Sequence, residues 1–217
     1  MNGSAERGGQ ASMIGLAILA RAPEPGRAKT RLIPALGAEG AAGLQGWMLR
    51  RAVDTALRSG IGPVSLWCEG REDHPDVRDC CGRDGITFRR QSPGDLGARM
   101  LESLQGVATA AGAIVIGTDC PVMSVEVLRA AAAALASVDA IVVPAEDGGY
   151  VLIGMRQPDA AVFCGIEWGE PAVLAQTRQK FDELGWRVTE LATLWDVDRP
   201  EDVDRLQREI SGTPWRG

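Results

Sequence analysis

Histidine is almost absent from this chain: His74, in Asp73-His74-Pro75-Asp76, is the only one among 217 residues. Multi-histidine metal centres are therefore excluded, and a lone His in such a setting reads as a solvated loop residue rather than as the base of a triad. No stretch approaches the roughly 20 apolar residues of a membrane span. Residues 1–12 are rich in Gly, Ser and Gln and lack the apolar core of a secretory signal, so they read as a disordered extension ahead of one folded domain, 13–217. The five cysteines form no CxxC pair and no zinc-type spacing, and their number is odd. A reduced, cytoplasmic protein is expected. Adjacent Cys80 and Cys81 read as small residues of a partly buried turn, with a redox pair as the sharper alternative.

The net charge of −6 argues against a nucleic-acid binder. Against that acidic background, residues 20–32 pack four cations (Arg21, Arg27, Lys29, Arg31) around Pro23, Pro25 and Gly26, directly after the apolar run 14–19. A first strand emptying into a rigid basic loop is where an α/β protein holds a small phosphate compound. Lys29 and Arg31 are the candidates for a diphosphate, with Arg21 or Arg27 assisting. The loop is not a Walker A motif, because 26–30 lacks the Gly before the Lys and the earlier Gly of that pattern.

With 45% hydrophobic and 24% charged residues, the chain can bury a sizeable core. Strands are expected at 14–19, 64–68, 86–90, 113–116, 140–143, 151–153 and 187–191; helices at 39–59, 96–110, 125–136, 171–184 and 200–210. This alternation predicts an α/β three-layer sandwich with a mainly parallel sheet. Four further loops fall at strand ends. Gln91 to Met100 carries Gly94, Asp95, Gly97 and Arg99, where glycines permit close backbone approach and a helix start offers amides; Asp95 as a plain N-cap is an equal reading. Residues 117–121 read Gly-Thr-Asp-Cys-Pro around Asp119. Residues 144–154 carry Asp147, Gly148, Gly149 and the sole tyrosine, Tyr150, with room beside a carboxylate for a bulky ligand. Residues 195–202 carry Asp198, which as an alternative caps the helix from Pro200. Trp168 either stacks on a ligand or simply packs.

The ordered series A-R-x-P-x-P-G-x-x-K-T-R-L, Q-x-x-G-D-L-G-x-R-M, G-T-D-C-P, P-A-x-D-G-G-Y-x-L-I-G and D-V-D-x-P-E-D spans most of the chain. It resembles a bacterial family of GT-A-fold proteins assigned as glycosyltransferases, some linked to arsenosugar biosynthesis, and more distantly the molybdopterin and phospholactate guanylyltransferases. The resemblance implies a GT-A nucleotide-diphospho-sugar transferase fold and a Mg²⁺ or Mn²⁺ ion on Asp119 and Asp198. Nucleotide contacts from the 94–99 loop are implied too. So is a sugar or acceptor facing Asp147, Gly148, Gly149, Tyr150 and Trp168, with Asp147 binding a sugar hydroxyl or acting as general base. Arg199 departs from the Thr common in relatives. The reaction stays open between glycosyl transfer from a nucleotide sugar to a small-molecule acceptor and nucleotidyl transfer from a nucleoside triphosphate. A platform that binds nucleotide without chemistry is the third reading.

Overall fold

The computed structural model describes residues 13–210; the extension expected at 1–12, and 211–217, lie outside the described residues. Seven strands form one sheet: β1 Gly15–Arg21, β2 Val64–Glu69, β3 Ile86–Arg90, β4 Ala113–Ile116, β5 Ala140–Pro144, β6 Tyr150–Met155 and β7 Val188–Glu190. Their order is β3-β2-β1-β4-β6-β5-β7. All pairings are parallel except those of β6, which runs antiparallel to both β4 and β5. The five-residue connection 145–149 is too short for a crossover, so β6 must fold straight back on β5.

The central strands are apolar on both faces because helices cover both. Along β1, Leu16, Ile18 and Ala20 pack in one core cluster and Ala17 in another; along β4, Ile114 and Ile116 face the first and Ala113 and Val115 the second. The first layer is built on helices α1 (Ile33–Ser59), α2 (Pro75–Cys81) and α4 (Val125–Leu135), the second on α3 (Leu96–Val107) and α5 (Val173–Glu183). Each fully buried Leu or Ile contributes about 1.5–3 kcal/mol to this sandwich. The three-layer mainly parallel expectation holds.

Two local expectations change. α1 begins at Ile33, ahead of the break at Gly37, whose φ of 70° interrupts the helix. His74 is not a free loop residue: its Nδ1 accepts a hydrogen bond from Asp76 N at 3.3 Å as N-cap of α2. A seven-residue helix carries too little periodicity to stand out in sequence. Cys80 ends up buried and Cys81 half-buried in its last turn, with burial pushing the Cys80 thiol up to about 12. Such thiols are inert, which favours the packing reading.

A third cluster joins α1 to α6 (Pro200–Glu209). It contains Leu32, Leu44, Met48, Trp195, Val197, Val203 and Leu206. This cluster seats the 195–198 segment against the carboxyl end of the sheet. No helix among the described residues is long and apolar enough to cross a membrane.

Candidate functional site

The carboxyl ends of β1, β2, β4 and β5, with the amino end of antiparallel β6, open into a cleft of about 1020 Å³. Of the residues expected from sequence, Arg21, Lys29, Arg31, Asp119, Asp147, Gly149, Tyr150, Trp168 and Asp198 line it.

Its most densely bonded part lies between β1 and β4. Lys29 follows a turn in which Arg27 N and Ala28 N donate to Glu24 O, and it is the only described non-glycine residue with positive φ, 47°. That conformation costs on the order of 1 kcal/mol or more and is sustained by what the side chain reaches. Lys29 Nζ is 3.0 Å from Asp119 Oδ2 and donates to Val197 O at 2.6 Å, with only 7% of the side chain exposed. Asp119, half-exposed, also accepts at Oδ1 from Thr118 Oγ1 (3.2 Å), and its carbonyl accepts from Val197 N. Behind it, buried Gln45 on α1 donates through Nε2 to both Arg21 O (3.1 Å) and Thr118 Oγ1 (3.2 Å). Arg31 pairs with Asp198.

The strand-like alternation of 195–198 puts Trp195 and Val197 into the third core cluster, Trp195 at its border with the cleft, and leaves Asp196 and Asp198 lining the cleft. Asp198 is not the N-cap of α6. That position belongs to Arg199, and Asp202 accepts from both Asp198 N and Arg199 N. Asp196 is a residue that motif reading missed. Burial, then the charges of Asp147 and Asp119, push its carboxyl up from 3.8 to about 6, against the pull of Lys29. The Asp-Val-Asp alternation ahead of a helix start was the available signal.

Asp119, Asp196 and Asp198 offer hard carboxylate oxygens suited to Mg²⁺ or Mn²⁺. No group of three or more His, Cys, Asp or Glu among the described residues could by itself hold a metal. The donor set fits an ion that takes one or two carboxylates and completes its shell with phosphate and water. Burial pushes the Cys120 thiol, next to Asp119, up to about 12, which removes it as a nucleophile or ligand near neutrality.

Several expected ligand contacts prove to be structural. Gly97 is buried, and a Cβ there would lie 2.6 Å from the Trp168 ring and 3.0 Å from Phe163 Cβ. The close approach it permits is thus that of Trp168, which packs beside Phe163 at 6.2 Å between ring centroids. Gly148, with φ of 92°, would drive a Cβ to 2.1 Å from Pro171 O, and it accepts from Leu174 N. Asp95 caps α3 by accepting from Ala98 N. Arg99 reaches Gly94 O and Glu69, while Arg27 is exposed and off the cleft wall. Asp147 Oδ1 accepts from Gly149 N at 2.9 Å, an Asx turn that fixes the exposed carboxylate on the rim. The Tyr150 ring contributes to the lining, but its hydroxyl is buried without a hydrogen bond, and burial holds its pKa well above the ordinary phenol value.

The sequence residues least anticipated sit on the β1–β2–β3 side. Glu69, at the end of β2, accepts on Oε2 from both Arg21 (3.0 Å) and Arg99 (2.9 Å). Burial alone would raise its carboxyl, but the hydrogen bonds and charges of the two arginines outweigh it and hold the group below its ordinary value. Gln91 donates through Nε2 to Ala20 O (2.7 Å) and Trp67 O (2.9 Å), stitching β1 to β2.

Comparison with known proteins places this architecture. A family model described as "Uncharacterized protein conserved in bacteria (DUF2064)" matches residues 52–170. No curated protein matches significantly. Among solved structures, a "putative nucleotide-diphospho-sugar transferase" from Desulfovibrio desulfuricans G20 is 29% identical, with a TM-score of 0.81 over 93% of this chain and 89% of its own. Two more distant structures share the fold. One is a CMP:2-keto-3-deoxy-manno-octonic acid synthetase complexed with CTP (13% identity, TM-score 0.59, 91% of this chain and 98% of that). The other is Rv0371c from Mycobacterium tuberculosis H37Rv complexed with manganese (22%, 0.54, 92% and 100%). The fold is that of nucleotide-diphospho-sugar transferases and nucleotidyltransferases.

Proposed function

This chain belongs to the bacterial family DUF2064, and we propose that it is a metal-dependent glycosyltransferase, moving a sugar from a nucleotide-diphosphate sugar to a small uncharged acceptor. The observation that carries the choice of reaction is the distribution of charge in the cleft. The wall supplied by residues 145–173 includes Asp147, Glu170 and Glu146, the last paired with Arg205 of α6, and no Lys or Arg, whereas the cations of the cleft, Arg21, Lys29 and Arg31, stand with Glu69, Asp119 and Asp198 on its second wall. A diphosphate is attracted to the second wall. A phosphorylated acceptor, which nucleotidyl transfer requires, would meet the carboxylates of Asp147 and Glu170 at the first, where no Lys or Arg lines the cleft. The similarity to the Desulfovibrio structure points the same way.

In this reading Lys29 and Arg31 donate to the phosphates of the donor and stabilise charge as the nucleoside diphosphate departs from the anomeric carbon. Asp119 and Asp198 would hold a divalent ion, which supplies Lewis-acid screening of the same diphosphate. Asp147, fixed by its Asx turn, accepts from a sugar hydroxyl or removes the acceptor hydroxyl proton. Gln45, through Thr118, orients the Asp119 carboxylate.

Incubation of the correct nucleotide sugar with Mn²⁺ should release nucleoside diphosphate, slowly with water and faster with acceptor. Asp147→Asn should lower kcat at least tenfold while changing nucleotide affinity less than threefold. Pyrophosphate produced from a nucleoside triphosphate, with no nucleoside diphosphate from any nucleotide sugar, would replace this reading by nucleotidyl transfer.

A stability measurement probes the acidic end separately. Because the folded-state pKa of Asp196, about 6, lies above its unfolded value, the group favours folding when protonated. That contribution is complete below about pH 4 and is lost as pH rises to about 6. After allowance for solvent screening, the ionised carboxylate costs on the order of 1–2 kcal/mol. In EDTA, Asp196→Asn should therefore raise Tm by several degrees at pH 7.5 and by clearly less at pH 4.5. An equal shift at both pH values would mean that Asp196 is not held among like charges.

A further inference from the structure

We infer that the β1–β2–β3 side of the cleft reads a guanine base, through Glu69 Oε1 and Gln91 Oε1. The inference rests on the nucleotide-diphosphate reading of the site and deepens it by naming the base. Three facts carry it. First, both arginines that hold Glu69 bond to the same oxygen, Oε2, so Oε1 has no partner among the described residues. Second, both amide hydrogens of Gln91 are committed to the carbonyls of Ala20 and Trp67, which fixes the amide orientation and leaves Oε1 as an acceptor without a partner among the described residues. Third, both side chains line the cleft, where Leu19, Leu96 and Met100 provide apolar surface for the face of a ring.

Glu69 and Gln91 follow directly on the Cys68–Arg90 pair of the parallel β2–β3 register, and two acceptors so placed, one of them anionic, ask for two adjacent donors. Guanine alone among the common bases presents that pair, N1–H and the N2 amino group, on one edge. The guanidinium of Arg21 beside Glu69 is free to donate to the neighbouring O6. Adenine and cytosine each follow their single amino group with a ring-nitrogen acceptor, and uracil flanks N3–H with two carbonyls. Each of these would set a lone pair against Glu69 or Gln91. A site built from buried or fixed hydrogen-bonding groups rejects the ligand that leaves them unpaired, so the discrimination is expected to be large.

The test is titration calorimetry of the full chain with GDP, IDP, ADP, CDP and UDP in Mn²⁺, for the wild type and for Glu69→Gln. GDP should bind at least tenfold more tightly than ADP, CDP or UDP. IDP, which lacks only the N2 amino group, should lose about tenfold relative to GDP. Glu69→Gln should weaken GDP about tenfold or more and change UDP by less than threefold, so that the preference collapses. Binding of all five within threefold, or preference for another base, would overturn the guanine assignment and leave the diphosphate reading intact. Equal weakening of every diphosphate by Glu69→Gln would do the same, by reducing Glu69 to a prop for Arg21 and Arg99. Binding of none of the five would overturn the nucleotide reading itself. The wild-type series decides the question even where the variant folds poorly.

Discussion

Asp119→Asn is expected to remove metal-dependent nucleotide binding. In Mn²⁺ the affinity for nucleoside diphosphate should fall by roughly 100-fold or more, because one of two hard anionic ligands is replaced by a neutral amide of the same size. In EDTA wild type and variant should bind alike. The fold should survive: Asp119 is half-exposed, and its backbone carbonyl keeps the bond from Val197 N. Lys29 loses an anionic partner but retains Val197 O, so a Tm loss of only a few degrees is expected. Calorimetry with and without metal decides the matter, and an unchanged Mn²⁺-dependent affinity would take Asp119 out of the site.

The second large effect belongs to Lys29. Its ammonium is nearly buried and already aimed at the Asp119 carboxylate, so it is poised to act on a phosphate without reorganising. Lys29→Ala should weaken nucleoside diphosphate binding by about 1.5–3 kcal/mol, or roughly 10- to 100-fold, the range for hydrogen bonds to charged groups. Nucleoside monophosphate should lose less. Arg31→Ala should have a smaller effect, since that side chain is 70% exposed. If Lys29→Ala costs monophosphate and diphosphate equally, the loop does not address the outer phosphate.

Much of this arrangement was legible in the amino-acid order. The apolar runs at 14–19, 64–68 and 113–116 had no other plausible home than a sheet buried on both faces, and Asp119, Lys29 and Asp198 stand at the ends of the expected elements. The antiparallel β6 was not singled out, because Val151, Leu152 and Ile153 would suit either direction; the brevity of 145–149 sets it. Gly97 and Gly148 misled for a specific reason. A glycine announces that something comes close, and only the fold says that the visitors are Trp168 and the Pro171 backbone rather than a ligand. Glu69 and Gln45 carried no motif signal, and Gln91 opened a motif without being singled out in it. Their importance comes from which carbonyls and guanidinium groups they meet across 24 to 73 residues of chain.

The alternation at 195–198 has a consequence for how this protein can diverge. Trp195 and Val197 lie inward, Asp196 and Asp198 outward, and Leu194 is held by a bridge to Ala145. Losing or gaining one residue between that bridge and Asp198 would exchange the two faces, sending carboxylates into the apolar seam between α1 and α6 and pulling the Trp195 indole out of it. Among working descendants of this sequence, the segment is expected to vary freely in composition at its outer edge but not in length by a single residue. Single-residue indels should instead collect where no such parity applies, as in the exposed 82–85 turn.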